Sequence, residues 1–139
     1  MNKDVLRLGL AALFTVSGTA HFVIPQPFAT IVPPLLGPAL PWVYASGAAE
    51  LACAGGLFSR PARLRMRAAQ ASAALLVAIF PANVYMAIEA FHGVHSAAYR
   101  VGTLVRLPIQ VPLILAALAV ARASGSSTQS GRQVGTSNG

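Results

Sequence analysis

A chain of 139 residues is the length of one domain, and this one is 55% hydrophobic and only 9% charged, with a mean hydropathy of +0.64. Soluble domains carry about 25% charged residues, so ten basic and three acidic side chains cannot cover a water-facing surface, and a soluble globule is excluded. The net charge of +7 does not indicate nucleic acid, because the cations flank apolar runs without interleaved aromatics.

The first apolar run, about residues 5–24, is close to the 20 residues a membrane-spanning helix needs. Its basic start (Lys3, Arg7) and Gly18-Thr19-Ala20 also resemble a cleavable signal peptide. The apolar character continues through His21 and Phe22 to Ile24, which favours a retained helix. Six prolines then crowd residues 25–41 (Pro25, Pro27, Pro33, Pro34, Pro38 and Pro41). Each removes a donor and clashes with the preceding turn, so no regular helix is expected. The residues between them are apolar and uncharged, which reads as a re-entrant or interfacial segment packed on the helices. Trp42 and Tyr44 mark a membrane interface.

The second expected span, 42–58, is rich in Ala, Gly and Ser and carries Glu50 midway. Small residues let membrane helices approach closely. Residues 59–67 form a basic loop. The third span, 68–91, contains Pro81, which should bend it and leave the Val77 carbonyl without its helical partner. A polar loop, 92–102, leads to a fourth span, 103–121. Residues 122–139 are Ser, Gly, Gln and Asn with little apolar content and are expected to be a disordered cytoplasmic tail.

Lys3, Arg7, Arg60, Arg63, Arg65, Arg67, Arg122 and Arg132 fall on one side of this arrangement, and Arg100 alone in a loop on the other. Cytoplasmic loops carry the Lys/Arg excess, so both termini are expected in the cytoplasm. The fold class is all-α, a four-helix transmembrane bundle with the Pro-rich segment between helices 1 and 2.

At about 1.5 Å per helical residue, His21, Glu50, Asn83, Arg106 and Gln110 all fall within about 12 Å of the extracytoplasmic ends of their spans. Ser46 shares a helix face with Glu50 at a spacing of four, as Arg106 does with Gln110 and Ser17 with His21. A charge at this depth needs a partner, and guanidinium matches carboxylate in two parallel bonds. The expected pair is Glu50–Arg106, with Asn83, Gln110 and His21 filling the remaining bonds. Two readings of this cluster stay open: a structural pair that fixes helix register, or the wall of a small cavity.

His92 and His95 lie three apart, but no Cys and few carboxylates stand near them, so no metal centre is expected. Cys53, the single cysteine, excludes an internal disulfide and reads as a buried small hydrophobe. No nucleophile–base order or phosphate loop supports an autonomous enzyme.

His21-Phe22 followed by Pro25, Phe28, Ile31 and Pro33-Pro34 resembles the opening of DoxX-like membrane proteins. Ser46-Gly47 with Glu50 and Gly55, Phe80-Pro81-Ala82-Asn83 with Met86, and Arg106-Leu107-Pro108 with Gln110 extend the likeness over about residues 5–121. The resemblance implies a four-helix bundle in a bacterial-type inner (plasma) membrane. The family takes its name from a small subunit of a thiosulfate:quinone oxidoreductase, and other relatives serve oxidative-stress complexes or assembly. For this chain it implies an accessory subunit of a quinone-linked redox system, placing a quinone or small sulfur species near Glu50 and Arg106. The alternative is an assembly or interaction protein that binds another membrane protein or a second copy. A solute carrier is a third reading, weakened by the lack of visible inverted repeats. A lone cysteine departs from autonomous thiol chemistry.

Overall fold

The computed structural model describes residues 2–136, with side chains as far as residue 126. The architecture is all-α. Helix α1 spans Lys3–Val23, α2 is the single turn Gln26–Ala29, α3 spans Ala39–Phe58, α4 Ala62–His92 and α5 Ala97–Thr136, with a 3-10 turn at Pro34–Leu36. Local chemistry sets most of these ends. The Asn2 side chain accepts the Asp4 N–H at 3.0 Å and opens α1, as capping residues do. Pro61 stands at the N-cap of α4, where its missing donor costs nothing. Arg100 closes the other end of α4 by donating from Nε to the Ala90 carbonyl at 3.0 Å and from Nη2 to that of Gly93 at 3.3 Å.

Three helices among the described residues are long and apolar enough to cross a membrane: α1, α4, and α5 over Ala97–Ser126. This is a membrane protein. Helix α3 has 20 residues but is not one of the three, because Glu50, Pro41, Ser46 and its glycines lower its mean hydropathy.

Several boundaries differ from expectation. Pro41 sits within the first turn of α3, where proline is tolerated, so α3 starts three residues before Trp42. Helix α4 takes in most of the expected basic loop, since arginine is a good helix former. Helix α5 starts at Ala97 and shortens the expected polar loop to residues 93–96. It also continues to Thr136 where a disordered tail is expected over 122–139; residues 137–139 lie outside the described residues. No proline follows Pro112 to stop it, and Ala121 and Ser124 are buried, which ties the early part of that stretch to the fold.

Helix α1 packs on α3, α3 on α4, α4 on α5, and α5 back on α1. One continuous apolar core joins them through Leu10 and Phe14 of α1, Cys53 and Leu57 of α3, Ala69 and Leu76 of α4, and Ala117 and Val120 of α5. It fills the half of the molecule that holds the start of the chain and the α3–α4 turn. Close approach comes from missing side chains: a Cβ on Gly56 would stand 2.5 Å from that of Ala68. At the same end Arg7 Nη1 donates to the Leu57 carbonyl at 2.8 Å, satisfying a carbonyl that the end of α3 leaves open.

Candidate functional site

The opposite half of the molecule is not filled. There a cavity of about 610 Å³ lies among α1, α3, α4 and α5, and the Pro-rich connection supplies part of its wall through Phe28, Ile31, Val32 and Leu36. The connection is held in place by two contacts: the His21 ring stacks on Phe28 at 4.0 Å, and Trp42 Nε1 donates to the Leu36 carbonyl at 2.9 Å.

All six residues of the expected polar cluster line this one cavity: His21, Ser46, Glu50, Asn83, Arg106 and Gln110. Their partners are not the expected ones. Among the described residues the ion pair between permanently charged groups is Arg7–Asp4, and the basic side chain beside Glu50 is His21, so the Glu50–Arg106 pair does not form. The reason is which helices touch. Glu50 is on α3, whose neighbours are α1 and α4, while α5 packs on α4 and α1. Glu50 and Arg106 line the same cavity, but the helices that carry them are not among the packed pairs.

Helix α1 takes that place beside Glu50. A Cβ on Gly18 would stand 2.9 Å from the Gly47 carbonyl oxygen, so only glycine permits this seam. His21 Nδ1 comes within 3.6 Å of Glu50 Oε2 but stands 2.7 Å from the Ser17 carbonyl. A carbonyl can only accept, so Nδ1 carries a proton and spends it there. Glu50 is 4% exposed, and its Oε2 has no hydrogen-bond partner among the described residues. Ser46 does not supply one, because its hydroxyl donates back to the Val43 carbonyl at 2.9 Å.

Asn83 and Gln110 satisfy each other rather than Glu50. Asn83 Nδ2 donates to Gln110 Oε1 at 2.8 Å, and Gln110 Nε2 donates to the Leu76 carbonyl. That carbonyl lies one residue before Val77, the one Pro81 deprives of its helical donor, and α4 stays helical through the proline. Arg106 is at the exposed rim of the cavity, with Nη1 3.9 Å from Met86 Sδ.

Sequence reasoning did not identify Phe28, Trp42 or the Leu76 carbonyl as parts of the site. Proline spacing shows that the connection is irregular, not where it folds back. Elsewhere, His95 stacks on Tyr99 at 4.6 Å, Cys53 is buried, and among the described residues no three His, Cys, Asp or Glu gather closely enough to hold a metal ion.

No curated protein and no solved structure matches the chain. Residues 10–121 match the family model described as a domain of unknown function (DUF8561), and the chain belongs to that family.

Proposed function

We propose that this chain is a four-span protein of a bacterial-type plasma membrane that holds a membrane-soluble molecule, apolar in its body and hydroxylated at its head, in the cavity beside Glu50. The observation that supports the reading is Glu50 Oε2, a buried acceptor without a donor on the wall of a cavity otherwise lined mainly by apolar side chains. An unsatisfied buried polar atom costs about 1–3 kcal/mol, and a ligand hydroxyl supplies the missing donor. A largely apolar wall with a few placed polar groups is the usual form of a small-molecule site. The resemblance to DoxX-like proteins extends the proposal to a quinol as the ligand and to an accessory role in a quinone-linked redox system.

In this reading α3 is the fourth crossing, the Pro-rich connection lies at the extracytoplasmic interface, and both termini are cytoplasmic. The Lys/Arg asymmetry supports that orientation. A second reading, an assembly or interaction protein with a purely structural polar cluster, is favoured by one observation. The Asn83–Gln110–Leu76 chain is satisfied from within the protein and joins α4 to α5 with no ligand.

Thermal unfolding of the detergent-purified chain separates the two. A short-chain benzoquinol is expected to raise the midpoint of wild type, its dimethyl ether to have no effect, and Glu50→Leu to abolish the shift. At a ligand concentration 100 times Kd, stabilisation is about 2.7 kcal/mol. Absence of any shift with the quinol leaves the structural reading.

A further inference from the structure

At the opposite end from the cavity, α4 begins with arginines at 63, 65 and 67, and α5 passes beside them carrying Arg122. Arg65 is committed to the fold, donating from Nη1 to the carbonyls of Ser59 and Arg60 at 3.3 and 2.5 Å. Arg63, Arg67 and Arg122 are exposed and instead line a single groove on the α4–α5 seam with Met66, Gln70, Leu118 and Ala121. Helical spacing explains the convergence. Residues 63, 67 and 70 share one face of α4, and 118, 121, 122 and 125 share one face of α5. Gly125 leaves room for the Met66 side chain, whose Sδ would lie 3.2 Å from a Cβ built there.

Among the described residues these three cations have no counter-charge. The only acidic side chains are Asp4, Glu50 and Glu89; Asp4 pairs with Arg7, Glu50 lines the cavity at the other end, and Glu89 lies at the far end of α4. Among the described residues no carboxylate faces the groove. Its wall toward Leu118 continues into the apolar stretch of α5 that is long enough to cross a membrane. A solvated basic rim would need neither a groove nor an apolar wall beside its charges.

We propose that this groove binds the headgroup of an anionic phospholipid. Arg63, Arg67 and Arg122 take its phosphate, and Leu118 and Met66 flank the glycerol and upper acyl chain. Arginine suits a phosphate because its planar fork donates two parallel hydrogen bonds. Basic pockets between membrane helices are a recurrent form of lipid site. The site is independent of the cavity at Glu50.

Native mass spectrometry of the full chain in detergent, titrated with phosphatidylglycerol, phosphatidylcholine or inorganic phosphate, tests this. Phosphatidylglycerol is expected to bind as a discrete first adduct well before phosphatidylcholine, and inorganic phosphate not to displace it. Arg67→Gln and Arg122→Gln should each weaken that adduct by about fivefold, as one lipid-facing cation contributes. Arg60→Gln removes the same charge from the same end but outside the groove and should change little. Arg67→Lys should recover part of the loss while unfolding at the wild-type temperature. Equal losses from Arg60→Gln and Arg67→Gln would mean a diffuse basic rim and overturn the site. Displacement by inorganic phosphate, or equal binding of the two lipids, would overturn the lipid assignment.

Discussion

Gly47 and His21 meet at the seam of α1 and α3 so closely that a Cβ on Gly47 would stand 2.6 Å from the His21 Cβ. The contact is intimate because both partners are at their minimum size there, one a bare backbone and the other only the first carbon of its side chain. It is also what brings the imidazole beside Glu50.

The first prediction follows from that distance. Gly47→Ala gains up to about 1 kcal/mol in helix propensity but overpacks the seam, at a cost of about 1–3 kcal/mol, so a net loss is expected. Gly55 on the same helix has nothing within 4 Å of its would-be Cβ, and Gly55→Ala should be neutral or stabilising. Unfolding midpoints in detergent compare the two. Equal midpoints would show that the α1–α3 seam is looser than described.

The second concerns which charges are coupled. Glu50 stands 3.6 Å from His21 Nδ1, and Arg106 makes its contact with Met86 Sδ. In a double-mutant cycle, Glu50→Gln with His21→Gln should be non-additive by about 0.5–3 kcal/mol, and Glu50→Gln with Arg106→Gln additive within about 0.5 kcal/mol. The reverse outcome would restore an ion pair between Glu50 and Arg106.

Gln110 offers a third. It is buried and accepts from Asn83 while donating to the Leu76 carbonyl. Gln110→Leu should lower stability by about 1–3 kcal/mol through the buried groups it leaves unpaired. Asn83→Leu should cost less in the Gln110→Leu background than alone, because its main partner is already gone. A larger cost in that background would mean that Asn83 has another partner.

A fourth tests the crossings themselves. In a Cys53→Ser background, Ser59→Cys lies between α3 and α4, and Ser96→Cys between α4 and α5. If α3 crosses and the termini are cytoplasmic, a membrane-impermeant maleimide labels position 96 in intact cells and position 59 only after permeabilisation. If only α1, α4 and α5 cross and the N-terminus is cytoplasmic, the pattern reverses.

Membrane class, the approximate positions of the long helices and the polar residues of the site were legible in the sequence. Hydropathy and charge are local properties, and a rise of 1.5 Å per residue turns position in a helix into depth. Depth puts His21, Glu50, Asn83, Arg106 and Gln110 in one half of the bundle, helix spacing adds Ser46 beside Glu50, and one cavity is lined by them all. Which of them touch is a lateral question, decided by the rotation of each helix about its axis and by which helices pack together. Gly18 and Gly47 bring α1 against α3 and give Glu50 a histidine for a neighbour, while Arg106 stays on α5 and Asn83 turns to Gln110. The ends of α5 were equally out of reach. Composition marks residues after 121 as unable to fold alone, but burial of Ala121 and Ser124 supplies the packing that local sequence lacks. Most helical stability in proteins comes from such packing rather than from propensity, so the partners of a polar group and the end of a helix are set by the tertiary structure.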